Sequence, residues 1–174
     1  MKTLVTTIAL LLLTSSVTMA QWRKDGKPVE DAPDRKSVSG FGGQLLVVKD
    51  PKAFIADWLK PETPRINNVS TVKRGELLGA FVLFAGCKPD AQGVCNSEVD
   101  YFIYRPDGSL YAERKGQPLW KRPAPPAPNT QLGEAILGFR MKKDDPAGEY
   151  KIKAKVSDLN ADISFELETK IQLQ

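Results

Sequence analysis

The amino-acid sequence predicts an all-β protein, an antiparallel β-sandwich of about six to eight strands with one short N-terminal helix. Three observations support this prediction: alternating apolar and polar residues near the C-terminus, an apolar run at 79–85, and turn-forming residues between candidate strands. Alternation is typical of strands that bury one face, and a continuous apolar run suits a strand buried between two layers. Two sheets packed around one core would account for both patterns.

The clearest strands are the last two, in which apolar residues alternate with lysines and then with mixed polar residues. We expect them to pair antiparallel, with Ile152 opposite Leu167 on the core side and Lys153 opposite Glu166 on the solvent side. Because the glutamates can neutralise the lysines, we interpret this stripe as a solvated sheet face rather than an anion-binding surface.

Earlier segments complete the predicted sandwich. Asp50 and Pro51 indicate the start of a helix over residues 51–60, which two prolines end. Five prolines between 116 and 130 predict a stiff, irregular segment, because proline cannot donate to a β ladder. Further strands are predicted over residues 44–49, 79–85, 99–104, 109–113 and 135–142.

The first twenty residues have the pattern of a secretory signal peptide. Lys2 is followed by an apolar run and then by small residues that end at Ala20. The run is shorter than the roughly 20 apolar residues that a bilayer span needs. We therefore predict a signal peptide over 1–20, a flexible polar tail over 21–39 and one β-sandwich domain over 40–174. The predicted protein is periplasmic or secreted and has no membrane span.

Cys87 and Cys95 are the only cysteines. Export to an oxidising compartment predicts a disulfide bond between them, and the enclosed Pro89 and Gly93 favour the turn that would bring them together. The alternative, a reactive redox pair, lacks both CxxC spacing and an activating histidine.

The composition removes several classes of function. The chain has no histidine and two cysteines, so it lacks the residues of Ser/His or Cys/His catalysis, of histidine-ligated metals and of four-thiolate zinc. Its 25 basic and 21 acidic residues are spread along the chain, unlike the clustered cations of a nucleic-acid-binding surface. We predict no catalytic residue, no metal, no cofactor and no nucleic-acid partner.

Two weaker chemical patterns occur in the sequence. Residues 158–162 alternate oxygen-bearing side chains as a calcium loop does, but Ile163 stands where that loop needs glycine and Thr169 where it needs an acid. We therefore predict an ordinary hairpin turn there. Catalysis by paired carboxylates is a third-ranked function; the candidates, by residue type alone, are Asp100, Asp107, Glu113 and Glu134.

Residues 145–150 read Asp-Pro-Ala-Gly-Glu-Tyr and directly precede one of the two clearest strands. They resemble the corner before the penultimate strand of immunoglobulin-like sandwiches, where a tyrosine hydroxyl closes the turn. With the Arg-Pro-Asp-Gly turn at 105–108, the sequence resembles the single immunoglobulin-like or macroglobulin-like domains of exported bacterial proteins. Ile152 occupies the strand position of the second cysteine of antibody domains. The resemblance implies a fold and assigns no functional residue.

The segment around Trp120, Lys121 and Arg122 combines an aromatic ring, two cations and a stiff proline run. We predict that these three residues bind a partner, since aromatic and arginine side chains dominate interfaces. The competing interpretation is that Trp120 packs against a sheet edge. The predicted function is an exported, non-enzymatic binding or accessory module that contacts an envelope or extracellular protein, with a glycan as second choice. The alternative is an enzyme inhibitor that uses the disulfide-stapled loop 87–95.

Overall fold

A computed structural model describes residues 22–24, 27–62, 66, 68–126 and 129–174, and the structural statements below concern these residues. The predicted signal peptide lies outside them. The described chain forms eleven strands and one helix: β1 (Arg23–Lys24), β2 (Lys27–Pro28), β3 (Arg35–Val38), β4 (Phe41–Lys49), α1 (Pro51–Trp58), β5 (Thr71–Val72), β6 (Leu77–Ala85), β7 (Ser97–Tyr104), β8 (Leu110–Trp120), β9 (Gln131–Arg140), β10 (Gly148–Asp158) and β11 (Ile163–Leu173).

Two sheets pack face to face as a β-sandwich, which confirms the predicted fold class. One sheet has five strands in the order β5-β11-β10-β7-β8, and the other has four in the order β3-β4-β6-β9. Neighbouring strands are antiparallel except for β5 and β11, which run parallel. The strands β1 and β2 form a separate two-stranded ribbon. The sandwich thus has nine strands in the described chain, whereas the sequence predicts six to eight. The short edge strands β3 and β5 are not predicted, because they carry no alternating pattern.

The core lies between the sheets and follows the period-two alternation. Inward-facing residues of β6, β7, β10 and β11 are almost completely buried. Phe41 of β4 packs on Phe165 of β11 with 5.6 Å between ring centroids, which joins the two sheets. The buried hydroxyl of Tyr101 donates to the carbonyl of Ala135 across the core at 3.1 Å. Burial raises the pKa of Tyr101 above its usual range.

Helix α1 covers the outer face of the four-stranded sheet. The Asp50 side chain caps it by accepting a hydrogen bond from the Ala53 amide at 3.1 Å, as the sequence predicts. Phe54 packs on Phe81 of β6 with ring centroids 5.0 Å apart. Gly79 permits this approach, because a Cβ atom at that position would lie 2.7 Å from the Pro51 ring. No helix among the described residues is long and apolar enough to cross a bilayer.

Part of the predicted flexible tail is ordered. Residues 35–38 form β3, which pairs with the start of β4, so the prediction for 21–39 does not hold there. Trp22 packs against the apolar cluster on the outer face of the four-stranded sheet, and its indole nitrogen donates to the Lys36 carbonyl at 3.2 Å. A polar edge strand needs only backbone pairing, so its sequence lacks the apolar signal of a core strand.

The strand β8 continues into the segment that was predicted to be irregular. It runs to Trp120, although the sequence predicts a strand only over residues 109–113. Within the described chain β8 pairs only with β7, so Pro118 lies in an edge strand. An edge strand tolerates proline, because one side of the strand has no partner that needs its amide hydrogens. Gly116 has a φ of 61°, and the register shift between Val99 and Tyr101 accommodates one extra residue of β8.

The register of β10 and β11 differs from the predicted one by two residues. Ala154 lies opposite Leu167 and Lys153 opposite Glu168, so the same residues face the core but with other partners. A shift of two leaves the buried face unchanged, and therefore alternation alone cannot distinguish the two registers. The loop between the strands is only residues 159–162 and sets the observed register.

The predicted corner before β10 is present. The Tyr150 hydroxyl donates to the carbonyl of Pro146 at 3.0 Å, four residues upstream. The Tyr150 ring also meets the Tyr111 ring edge to face, with centroids 5.8 Å apart. This contact ties the corner to the edge strand β8.

Candidate functional site

Three segments that are distant in the sequence meet at one end of the sandwich: residues 87–95, 120–124 and 158–162. We refer to them together as the disulfide end. The first is closed by the predicted disulfide bond between Cys87 and Cys95, whose Cα atoms lie 5.9 Å apart. Both cysteines are buried, whereas residues 88–93 between them are exposed. The staple is therefore protected, and the loop it closes faces solvent.

The loop is held in one conformation by its own hydrogen bonds. The Asp90 carboxylate accepts from the amides of Gln92 and Val94, both at 2.9 Å. The Asp90 amide donates to the Val94 carbonyl, and the Gly93 amide donates back to the Asp90 carbonyl. Gly93 has a φ of 81°, a conformation that glycine adopts without strain. These contacts make the loop a closed hairpin-like turn.

The turn between β10 and β11 braces this loop from the side. Asp158 is 1% exposed, and its carboxylate accepts from the amides of Lys88 at 2.6 Å, Asn160 at 3.1 Å and Ala161 at 3.3 Å. The Asn160 amide group donates to the carbonyls of Lys88 and Val94, each at 2.9 Å. Of the side chains that resemble calcium ligands in the sequence, Asp158 therefore uses its oxygens to bind backbone amides, and Asn160 uses its side-chain nitrogen to bind backbone carbonyls. No group of three acidic or cysteine side chains in the described chain is placed to hold a metal ion.

The segment after β8 braces the loop from the other side. The Cys95 amide donates to the Arg122 carbonyl at 2.9 Å, and the Ala124 amide donates to the Gly93 carbonyl at 2.9 Å. Pro123 forms a bridge with Val94. The start of the proline-rich segment thus pairs with the C-terminal part of the loop through backbone hydrogen bonds.

Trp120 is half-buried and in contact on both sides. Its ring packs on Phe84 with centroids 5.4 Å apart, and its indole nitrogen donates to the Pro123 carbonyl at 3.1 Å. The Arg122 guanidinium lies 4.8 Å from the centroid of the Trp120 ring. These contacts match the competing interpretation, in which Trp120 packs at the sheet edge and supports the neighbouring segment.

Lys121 and Arg122 are exposed beside the loop, and each is paired with an acid. The Lys121 ammonium lies 2.7 Å from a Glu98 carboxylate oxygen, and Arg122 forms an ion pair with Glu134. The side chains of Lys121 and Arg122 remain 47% and 57% exposed. The structure therefore brings two of the three predicted partner-binding residues next to the loop 87–95, and it places the third beneath them.

The four carboxylates considered as catalytic candidates do not converge. Asp100 accepts from the Gly116 amide, Asp107 from the Ser109 amide, and Glu113 pairs with Lys115, while Glu134 pairs with Arg122. The hydrogen bonds from Ser109 hold the pKa of Asp107 below its usual value. Each carboxylate thus has a local structural partner.

The sequence does not reveal that Asp158 and Asn160 brace the disulfide loop. The sequence predicts both as turn formers, which they are, but their contacts with Lys88 span 70 and 72 residues. The only available signal was the pair of adjacent aspartate and asparagine oxygens, and their partners are backbone groups that no side-chain pattern identifies. These two residues belong to the candidate site as its supports.

The fold and this end together define a disulfide-stapled β-sandwich protein with a rigid exposed loop. No protein family and no curated protein matches the sequence. Among solved structures, one similar fold is a family 123 glycoside hydrolase from Clostridium perfringens, studied for glycolipid glycan hydrolysis. Its TM-score is 0.38 at 9% identity, and the match covers 76% of this chain and 27% of that chain.

A second similar structure is a Niemann-Pick type C2 protein from Japanese carpenter ant. Its TM-score is 0.39 at 11% identity, and the match covers 75% of this chain and 89% of that chain. Likenesses at this level carry no argument about this chain. They assign no functional role to any residue of this chain.

Proposed function

We propose that this chain is an exported, non-enzymatic binding or accessory module that contacts a protein partner in the cell envelope through its disulfide end. The observation that supports this most directly is the exposed loop 88–93, which is fixed by a disulfide and by contacts from two other segments. A surface that is already ordered loses little conformational entropy when it binds. Such a loop is suited to recognition.

The charges beside the loop support a protein partner of mixed polarity. Lys88, Lys121 and Arg122 are exposed cations, while Asp90 is an exposed acid whose side chain is engaged within the loop. The ion pairs of Lys121 and Arg122 are solvent-exposed, so they are worth at most about 1 kcal/mol each and can be exchanged for a partner's acids. In this proposal the cations steer association and the rigid loop gives the contact its specificity.

The disulfide supports an oxidising compartment for the protein. A buried disulfide in a chain with no other cysteine is expected in the periplasm or outside the cell, where thiols are oxidised. The hydrogen bond from Tyr150 to Pro146 supports kinship with immunoglobulin-like exported domains. Both observations agree with a signal peptide over residues 1–20 as the export signal.

A second candidate function is inhibition of an enzyme by the same loop. The exposure of residues 88–93 favours it, because a stapled loop can occupy an active site without being deformed. The two candidates use the same surface and differ in the partner. If the partner is a hydrolase whose activity falls when the purified protein is added, the inhibitor function is the correct one.

The test is site-specific photo-crosslinking in the producing cells. A photoreactive residue replaces Gln92, which is exposed in the loop, and in a matched variant it replaces Lys143, which is exposed at the opposite end of the sandwich. We expect a discrete crosslinked protein from position 92 and none from position 143. Its yield should fall in a Lys121→Glu/Arg122→Glu background that keeps the native melting temperature.

Equal crosslinking from both positions, or a product only from position 143, would place the contact surface elsewhere. The inhibitor function is tested separately, by adding the purified protein to the crosslinked partner and measuring whether a hydrolase activity of that partner falls. Loss of the crosslinked product on reduction of the disulfide, with the sandwich still folded by circular dichroism, would support the role of the staple. Retention of the product would assign recognition to the cations alone.

A further inference from the structure

Two aromatic rings lie on the solvent-facing side of the five-stranded sheet, at the end opposite the disulfide. Phe102 and Tyr104 alternate with inward-facing residues of β7, and both are half-exposed. Their ring centroids lie 6.4 Å apart, with 24° between the ring planes. The outward positions of the neighbouring strands β10 and β11 are lysines, glutamates and other polar residues. The two rings of β7 therefore interrupt an otherwise hydrophilic face. They do not belong to the core.

Side chains of both charges border the aromatic pair. Phe102 lies between Lys153 of β10 and Glu113 of β8 in the sheet register, and Tyr104 lies beside Lys151. The Lys115 ammonium lies 5.6 Å from the centroid of the Phe102 ring. The pair is therefore an apolar strip with charged side chains along its edges and the exposed Lys115 side chain over the Phe102 ring.

The strip continues into an open cleft of about 450 Å³ beside the turn that joins β7 and β8. This volume is within the range of small-molecule sites in proteins, roughly 300–1,000 Å³. Its lining residues are Tyr104, Arg105, Pro106, Gly108, Glu149, Lys151 and Lys153.

We propose that this face, the Phe102–Tyr104 strip with its adjoining cleft, binds a neutral oligosaccharide. A sugar ring presents C–H groups on its faces and hydroxyls around its edge. The faces can stack on near-parallel aromatic rings, and the hydroxyls, which both donate and accept, can bond to lysines and glutamates together. This site is separate from the disulfide end, and it does not depend on the function proposed for that end.

Other ligand classes fit the strip less well. The lysines at its border are already paired with acids, Lys115 with Glu113 and Lys151 and Lys153 with Glu168 and Glu166. They therefore leave little net positive charge to hold a polyanion such as a nucleic acid or a sulfated glycan. The charged border also opposes an acyl chain, which would leave these side chains without water. The mixed border and the paired rings are both satisfied by a ligand whose surface alternates between apolar faces and hydroxyl groups.

The experiment is titration of the purified protein with hexasaccharides of glucose, mannose and N-acetylglucosamine, followed by calorimetry and by NMR of backbone amides. We expect at least one to bind, with the largest shifts in β7 and in the 105–109 turn. Phe102→Leu and Tyr104→Leu should each weaken that binding about tenfold. A matched variant, Trp58→Leu on α1, removes a half-exposed aromatic from the opposite face and should leave binding unchanged.

Failure of all three neutral hexasaccharides to bind would overturn the proposal, as would binding that both strip variants retain. A heparin hexasaccharide is included as a polyanion. Binding of that ligand alone, with strong salt dependence, would overturn the proposal in favour of a cationic surface. Each variant is checked by its melting temperature and amide spectrum, so that loss of binding is not confused with unfolding.

Discussion

The carboxylate of Asp158 accepts the amide hydrogen of Lys88 at 2.6 Å, although 70 residues separate the two in the sequence. Asp158 is the last residue of β10, and Lys88 is the first residue inside the disulfide loop. The carboxylate also accepts two amides of its own turn. One buried side chain thus fixes the position of the loop relative to the five-stranded sheet.

Asp158→Asn should destabilise the protein by about 1.5–3 kcal/mol. Both carboxylate oxygens accept backbone amides, so an amide nitrogen at either position would face an N–H group, and hydrogen bonds to a charged acceptor are worth this amount. The measurement is urea denaturation followed by circular dichroism. Amide hydrogen exchange at Lys88 should accelerate more than exchange in β6.

The matched control for this change is Asp162→Asn in the same turn. Asp162 is exposed and has a φ of 54°, a conformation that asparagine tolerates well. We expect its free energy of unfolding to stay within about 0.5 kcal/mol of the parent protein. Equal losses in the two variants would show that the charge of the turn, and not the buried acceptor, is responsible.

The disulfide should contribute about 2.5 kcal/mol, because a short loop limits the entropy lost by the unfolded chain. The double variant Cys87→Ala/Cys95→Ala should lower the urea midpoint accordingly, while β6 keeps its pairing with β4 and β9 and β7 keeps its pairing with β8 and β10. Intact mass before and after reduction checks the bond itself. Free thiols in the native protein would contradict it.

Trp120→Ala should cost about 2 kcal/mol, since the half-buried ring packs on Phe84 and holds Arg122 over its other face. Trp120→Phe keeps the ring contact but loses the bond to the Pro123 carbonyl, so its cost should be nearer 1 kcal/mol. Thermal and urea unfolding measure both. An alanine variant with unchanged stability would indicate that the indole is available to a partner.

The Tyr111 hydroxyl should titrate well above an ordinary tyrosine. Burial, together with a 2.7 Å hydrogen bond to the Asp145 carboxylate, raises the pKa of Tyr111 from 10.0 to about 12. Because the folded protein favours the neutral hydroxyl, this stabilisation is present below pH 10 and is lost as the pH rises through about 12. Ultraviolet titration of tyrosinate measures it, and Tyr111→Phe should remove that part of the alkaline transition.

The sequence identified which residues face the core more reliably than which residues they meet. In β10 and β11 the predicted inward side chains are all inward, but each partner is displaced by two positions. Even so, the Lys153 ammonium lies 3.3 Å from Glu166 and 3.8 Å from Glu168, because long side chains reach diagonal neighbours. Charge complementarity therefore tolerates both registers, and the turn length selects one.

The candidate site was less predictable for a related reason. Its disulfide, its turns and its cations are visible in the sequence, whereas their convergence depends on backbone groups with no sequence signal. The segment that continues β8 to Trp120 illustrates this, since Pro118 argues against a strand unless the edge position of β8 is known. Such cases depend on which strands lie next to one another in the fold. Local sequence patterns do not contain that information.

The position of β11 in its sheet has a consequence for the timing of folding. This last strand of the sandwich lies between β10 and β5 and is not at an edge. Because β11 is the last of the described strands in the chain, the five-stranded sheet cannot be completed until β11 has paired with β10. Non-local pairing of this kind slows folding. Closure of the five-stranded sheet should therefore be a late step in the folding of this protein.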